Sequence, residues 1–406
     1  MLYDKSLLPK QQRIAVTLLS ENYYTMLQNI LHRIPVLAIV LFAGITGLSQ
    51  TRLKPKYSNS SIYTGIEVGS KGVKISVIEI GKNAQSSGAF TIIKDSSVNT
   101  DFISFSAPTF SATLNALSGL YNTALREYQI PSRRIFTVVS SGVKMQAEKE
   151  NKTDWINRLI DSFRIKIYEP SRKVEVVDVT QEAWLSHLGI VPVTRRFNTF
   201  LIDIGSGNTK GGFFPYGNMD YFKLFQLNWG TKSTSNATEK RCEGDNSLDN
   251  YNRQLYRVLS IAENSEIIYA VNSSGSYPVS DNIAISGGIA WATATLLHPE
   301  MLDNPVIPVT FQEVEQFYQK LYSKFSDVSP AFLASNANVP SEKETIKKET
   351  TRVHKVFDQK SLLAGAGLLL KIIRQFSSVY ETKQFYLVKN GQVGWISAYV
   401  DQTVSN

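Results

Sequence analysis

The chain has 406 residues, 43% hydrophobic and 19% charged, with a formal net charge of +8. That length and apolar content exclude a disordered chain and leave room for two domains of ordinary size. One cysteine, Cys242, and four scattered histidines exclude a disulfide framework and a cysteine or histidine zinc cluster.

The basic excess reads first as surface charge, with an anionic ligand as the alternative. No long Lys/Arg run carries interleaved aromatics, so no nucleic-acid polymer is expected as a partner.

Residues 34–48 (IPVLAIVLFAGITGL) are apolar and uncharged and follow His32 and Arg33. The segment is short of the about 20 residues that span a membrane, and fits the apolar core of a signal sequence better. A cleaved signal, an uncleaved anchor through 34–48 and a buried helix are the three readings, in that order. They place the protein in the periplasm or medium, on a membrane, or in the cytoplasm. Residues 1–57 are thus a leader, 58–195 a first lobe and 196–406 a second.

The folded part opens with strand-like runs over 65–68, 73–80 and 89–94, then a helix over 113–128 that stops before Pro131. A strand over 135–140, a helix over 154–163 and a strand over 174–179 follow. Thr180 is the expected cap of a helix through Leu188, closed by Gly189. The second lobe begins with a hairpin at 200–214. A strand over 221–227, a mostly helical stretch to about Ile261 and a strand over 283–286 come next. Thr310 caps a helix over 311–325. Residues 326–348 read as a polar loop and 361–376 as a helix. Runs at 385–388 and 395–399 pair as a final hairpin around Asn390-Gly391. The alternation is α/β.

Two of these hairpins share one grammar. In FLIDIGSGNTKGGFF, Asp203 ends the first strand and Gly205, Ser206, Gly207, Asn208 and Thr209 make the turn. In YTGIEVGSKGVK, about 135 residues earlier, Glu67 precedes Gly69, Ser70 and Lys71. Glycine lets backbone N–H groups approach an anion, so each turn is a phosphate nest or an ordinary hairpin turn. Asp203 at a strand end suits a hydrated Mg²⁺ or an oriented water. Lys71, Lys74 and Lys210 are expected to be solvated strand residues, with anion binding as the alternative.

Paired hairpins of this kind resemble the actin, sugar-kinase and Hsp70 superfamily. Within it, VDVTQEAWLSHLG (177–189) resembles the exopolyphosphatase and guanosine pentaphosphate phosphatase family, where a Glu-Ala pair opens a helix. The DIGSGNTK loop stands where that family has Asp-Ile-Gly-Gly-Gly-Ser-Thr. Asn228-Trp229-Gly230-Thr231, Ser286-Gly287-Gly288 and the 357–366 stretch look like its later motifs, in order. The resemblance covers roughly 61–399.

It implies a duplicated, two-lobed actin-like (ribonuclease H-like) fold with a central cleft. It further implies a Mg²⁺-dependent phosphoanhydride hydrolase acting on polyphosphate or a phosphorylated nucleotide. Glu182 would be general base, Asp203 would position Mg²⁺ or water, and Gly287 and Gly288 would join the two turns at the phosphate. The Ser70 and Thr209 hydroxyls would add donors.

The sequence departs from the family at Glu67 (Asp there), Lys71 (Asn there), Ser206 and Gln181. These departures bear on turnover more than on binding. A catalytically weak phosphate or nucleotide sensor, or an envelope scaffold, is the alternative. A homodimer is left open.

Overall fold

In a computed structural model of the chain, the described residues are 53–81, 90–275, 281–378, 383–389, 391 and 394–405. The apolar segment 34–48 lies outside them. Among the described residues no helix is long and apolar enough to cross a membrane. Everything below falls within the unit Leu53–Asn406.

The strands form two mixed sheets. In the first, β1 (Ser60–Val68), β2 (Gly72–Gly81) and β3 (Phe90–Asn99) make an antiparallel meander. On the other side of β1, β4 (Ile135–Val139) and β5 (Val174–Val176) add in parallel, giving the order β3-β2-β1-β4-β5. The second sheet contains β6 (Thr199–Ile204), β7 (Thr209–Phe213), β8 (Lys223–Leu227), β9 (Asn282–Ser286), β10 (Val306–Val309) and β11 (Gln384–Val388). Its order is β10-β11-β9-β6-β7-β8. Here too the hairpin strands are antiparallel, and the returning strands β9 and β11 run parallel to β6. With β10 set aside as an added edge, the two sheets have the same order and sense. The duplication read from the two hairpins therefore extends to the whole sheets.

Central strands are buried on both faces, as strands flanked by helices must be. All six residues of β6 are buried. Phe200 on β6 packs its ring 5.6 Å from Phe213, 5.6 Å from Phe225 and 5.4 Å from Phe376. Phe376 belongs to the helix Gln359–Ser377, whose apolar face closes the second core. Each such fully buried side chain contributes roughly 1.5–3 kcal/mol through area removed from water.

Several expectations are corrected. Residues 326–348 are not a loop: they carry the helices Pro330–Ser335 and the start of Pro340–Val356. The latter buries only Ile346, Thr350 and Val353, a narrow stripe at helical spacing that its many charges mask. Residues 395–399 are not a strand but part of the helix Gly394–Ser405. Trp395, Ile396, Tyr399 and Val400 repeat at helical spacing and pack on Ile78, Ile80, Val138 and Leu185 beside the first sheet. β11 instead pairs with β9 and β10.

The helix Val179–Ile190 is capped by Asp178, whose carboxylate accepts the Gln181 N–H at 2.7 Å, and not by Thr180. Gly189 lies inside that helix rather than closing it. A Cβ there would stand 2.1 Å from the Gly394 carbonyl oxygen, so glycine permits the backbones of the two helices to touch. The helix Ser141–Lys149 and strand β10 had no counterpart in the sequence reading.

Candidate functional site

The two glycine turns meet each other. The β1–β2 turn closes with the Gly69 N–H donating to the Gly72 carbonyl at 2.9 Å. The β6–β7 turn closes likewise, Gly205 N–H to Asn208 carbonyl at 3.0 Å. Across the gap the Lys71 N–H donates to Ser206 Oγ at 3.2 Å. The Lys71 ammonium hydrogen-bonds the Val356 carbonyl and lies 4.1 Å from the centre of the Phe357 ring. Burial pushes this ammonium down to about 8, with Asp358 opposing. The second turn is held further by the Gln146 side-chain amide on the Gly207 carbonyl at 3.2 Å and by the Asn208 amide on Ser141 Oγ at 3.3 Å.

Beneath these turns lie three acids and a lysine. Glu182 sits in the first turn of its helix and is 1% exposed. Its Oε2 accepts the Ser141 N–H at 2.6 Å, at the start of the helix Ser141–Lys149. Its Oε1 faces Lys210 Nζ at 2.8 Å. The same ammonium lies 2.9 Å from Asp203 Oδ2, while Asp203 Oδ1 accepts the Ser286 hydroxyl at 2.9 Å. Burial opposes the charge on Lys210, but the two carboxylates outweigh it and hold the ammonium well above the ordinary lysine value. Glu67 accepts the Trp395 indole N–H at 3.2 Å and has Lys74 at 3.7 Å. Burial raises its carboxyl above the usual range, with Lys74 opposing.

A cavity of about 100 Å³ lies among the turns and the acids. It is lined by Glu67, Ser70, Lys71, Glu182, Asp203, Gly205, Ser206, Gly207, Asn208, Lys210, Gly287 and Gly288, with Trp395 at its side. Gly287 has φ +99°, and a Cβ there would press on the Ile204 carbonyl at 2.2 Å and on Asp203 Oδ1 at 3.1 Å. Ser70 Oγ is buried and has no hydrogen-bond partner among the described residues. A buried hydroxyl without a partner calls for an explanation, and Ser70 lies on this cavity.

Not every residue singled out in the sequence reaches this cavity. Thr209 is turned away, its hydroxyl donating to the Trp229 carbonyl at 2.7 Å, so it is no ligand donor here. The Gly69 and Gly205 amides are spent on closing their own turns. The Gly205 and Ser206 carbonyls accept from Thr231 and Lys232, so they cap the helix Thr231–Arg241. The turn amides of Ser70, Gly207 and Asn208 make no backbone hydrogen bond among the described residues.

Two lysines expected to be solvated are not: Lys71 is packed against Val356 and Phe357, and the second, Lys210, lies deeper. It is buried and paired, not solvated. The hairpin register carried the signal: Ile204 pairs with Thr209, which sets Lys210 opposite Asp203. Trp395 was missed because its helix was read as a strand.

A Mg²⁺ bridging Asp203 and Glu182 does not fit these residues. Both oxygens of Asp203 and both of Glu182 have partners, and the Lys210 ammonium fills the space between the acids that a bridging cation would need. Among the described residues no three His, Cys, Asp or Glu side chains converge to hold a metal.

No family model matches the chain, and no curated protein matches it in sequence. Solved structures match it in fold. A Ppx/GppA family member from Aquifex aeolicus aligns over 86% of this chain and 99% of its own, at 15% identity and a TM-score of 0.53. An exopolyphosphatase-like protein aligns over 86% and 100%, at 13% identity and 0.57. An exopolyphosphatase from Cytophaga hutchinsonii aligns over 84% and 98%, at 12% identity and 0.51. Identity this low carries the architecture and leaves the activity to be argued from the site. The chain has the α/β fold of the actin-like Ppx/GppA structures, two mixed sheets with helices around them.

Proposed function

We propose that this cleft binds the terminal phosphoryl group of a phosphoanhydride, an inorganic polyphosphate or a phosphorylated nucleotide, and turns it over weakly or not at all. The observation that carries the reading is the engagement of Glu182. A general base works best when its carboxylate is free to turn toward the attacking water, and one pinned by a partner on each oxygen is not, although a lone pair remains on each. Here Oε1 is held by the Lys210 ammonium and Oε2 by the Ser141 N–H. Binding has support of its own: the orphan Ser70 hydroxyl, the turn amides of Gly207 and Asn208, and the Lys210 ammonium border one cavity. That cavity, about 100 Å³, is below the roughly 300–1,000 Å³ of a small-molecule site, so it suits one phosphoryl group with the rest of the chain outside.

A second reading is hydrolysis, with Glu182 as base on water and Asp203 orienting it. It is favoured by both acids lining the same cavity as the turns. The experiment is orthophosphate release from long-chain polyphosphate by the full chain, beside equilibrium binding of tripolyphosphate, with Glu182→Gln in parallel. Binding with no release above the Glu182→Gln background is the expected result. Release by the parent that the variant lacks would establish the hydrolase instead.

A further inference from the structure

We infer that the Lys210 ammonium is the resident cation of this cleft, standing between Glu182 and Asp203 so that a phosphoryl ligand is bound without a divalent metal. The inference rests on the binding reading above. Two buried carboxylates facing an anion site would repel the anion unless a positive charge lay between them. Metal-assisted phosphate sites meet this need with a divalent ion. In this chain the positive charge is covalent. Lys210 Nζ is 2.8 Å from one acid and 2.9 Å from the other.

Its position is fixed by the fold. Lys210 is the cross-strand partner of Asp203, so β-sheet register delivers it to that face. The ammonium also lies against the second turn: a Cβ on Gly205 would stand 3.2 Å from Nζ. An ammonium has three N–H donors. Two go to the carboxylates, and Lys210 borders the cavity, so the third is available to a phosphoryl oxygen. A divalent ion bridging the two acids could enter only by displacing Lys210, which would leave its charge without partners in the interior.

The hairpin of the first sheet repeats the device in weaker form. Lys74 is the cross-strand partner of Glu67 and lies 3.7 Å from it. That ammonium is about half solvated, its side chain 40% exposed, so it neutralises its acid from the rim of the cavity.

The test uses the full chain and two probes, tripolyphosphate and Mn²⁺. Calorimetry should give the same tripolyphosphate affinity in EDTA and in excess Mg²⁺. Electron paramagnetic resonance should find no stoichiometric Mn²⁺ uptake by the parent. Lys210→Glu should lose about tenfold or more in metal-free affinity and take up one Mn²⁺. Lys210→Arg should keep metal-free binding. Parent binding that requires Mg²⁺, or stoichiometric Mn²⁺ on the parent, overturns the inference. If tripolyphosphate does not bind under any condition, the functional reading fails, and Mn²⁺ uptake still decides whether the ammonium holds the metal's place. Uptake by Lys210→Glu alone supports it; uptake by both proteins or by neither overturns it. Should Lys210→Glu not fold, the parent measurements with and without Mg²⁺ carry the decision.

Discussion

Lys210 stands opposite Asp203 on the β6–β7 ladder and reaches past it to Glu182. One residue on a hairpin thereby ties together an acid of its own sheet and an acid of the helix Val179–Ile190, which packs on the hairpin through His187 and on first-sheet residues through Leu185. A buried ion pair is costly to break, because the partner left behind is a charge without water. Lys210→Met should therefore destabilise the protein by about 3–5 kcal/mol. Removing both acids together with the lysine (Lys210→Met, Asp203→Asn, Glu182→Gln) should recover much of that loss. Urea denaturation of the parent and both variants measures it; equal stability of parent and Lys210→Met would show that the cluster is not buried as described.

Gly207 packs tightly against the first turn. A Cβ at this position would lie 2.3 Å from Ser70 Oγ and 3.0 Å from the Gly142 carbonyl. Gly207→Ala should force the turns apart and lower tripolyphosphate affinity about tenfold or more. Gly119 is the control. It lies mid-helix with nothing within 4 Å of its Cβ position. Gly119→Ala should raise stability by about 0.5–1 kcal/mol and leave affinity alone. Parallel titrations and melts of the two variants test the contrast.

His187 gives the fold an acid limit. Its ring is buried, with Nε2 3.1 Å from the Thr199 carbonyl oxygen and its plane edge-on to Phe214, centroids 4.9 Å apart. Burial pushes it down from 6.5 to about 4. Between those values the unfolded chain binds a proton that the folded chain does not, so stability rises with pH across the window. The contribution is complete above pH 6.5 and is lost as pH falls toward 4, at up to about 1.4 kcal/mol per pH unit. His187→Gln should flatten that slope in denaturation curves taken from pH 7 to 4. An unchanged slope would assign the acid sensitivity elsewhere.

Lys71 acts at the other end of the scale. Its ordinary value is 10.5, and burial against Val356 and Phe357 brings it to about 8. In that interval the unfolded lysine again holds a proton that the folded one has released, so stability rises from pH 8 to 10.5. Lys71→Met should remove the rise. Because Lys71 joins the first turn to the Val356–Phe357 corner, the variant should also speed exchange of the Gly69 amide, which closes that turn on Gly72. Exchange rates equal to the parent's would rule out a closing role for this contact.

The hairpins were legible because a tight glycine turn between β-branched runs has few other structures open to it. Register was legible too, though it was not followed to its end: with Asp203 on the cavity face, the pleat puts Lys210 there as well. A lysine on a strand is usually solvated, and that general expectation hid the pairing. The Pro340–Val356 helix was missed because its buried stripe is three residues wide in a run dominated by Lys, Glu and Thr. The helix Gly394–Ser405 was missed because aromatic and β-branched residues favour strands on their own, and only its packing partner decides otherwise. Glu182 was placed by resemblance; nothing in its local pattern distinguishes it from any carboxylate at a helix start.

Glu67 and Trp395 touch although 328 residues separate them in sequence. The first acid therefore acquires its indole partner, and the first sheet its last layer of apolar cover, only after the whole second sheet has been made. During synthesis the amino-terminal half must wait with Ile78, Ile80 and Val138 incompletely covered. The cavity is thus among the latest features to form, and a nascent chain halted before residue 394 would carry both turns without the Trp395 side of its wall.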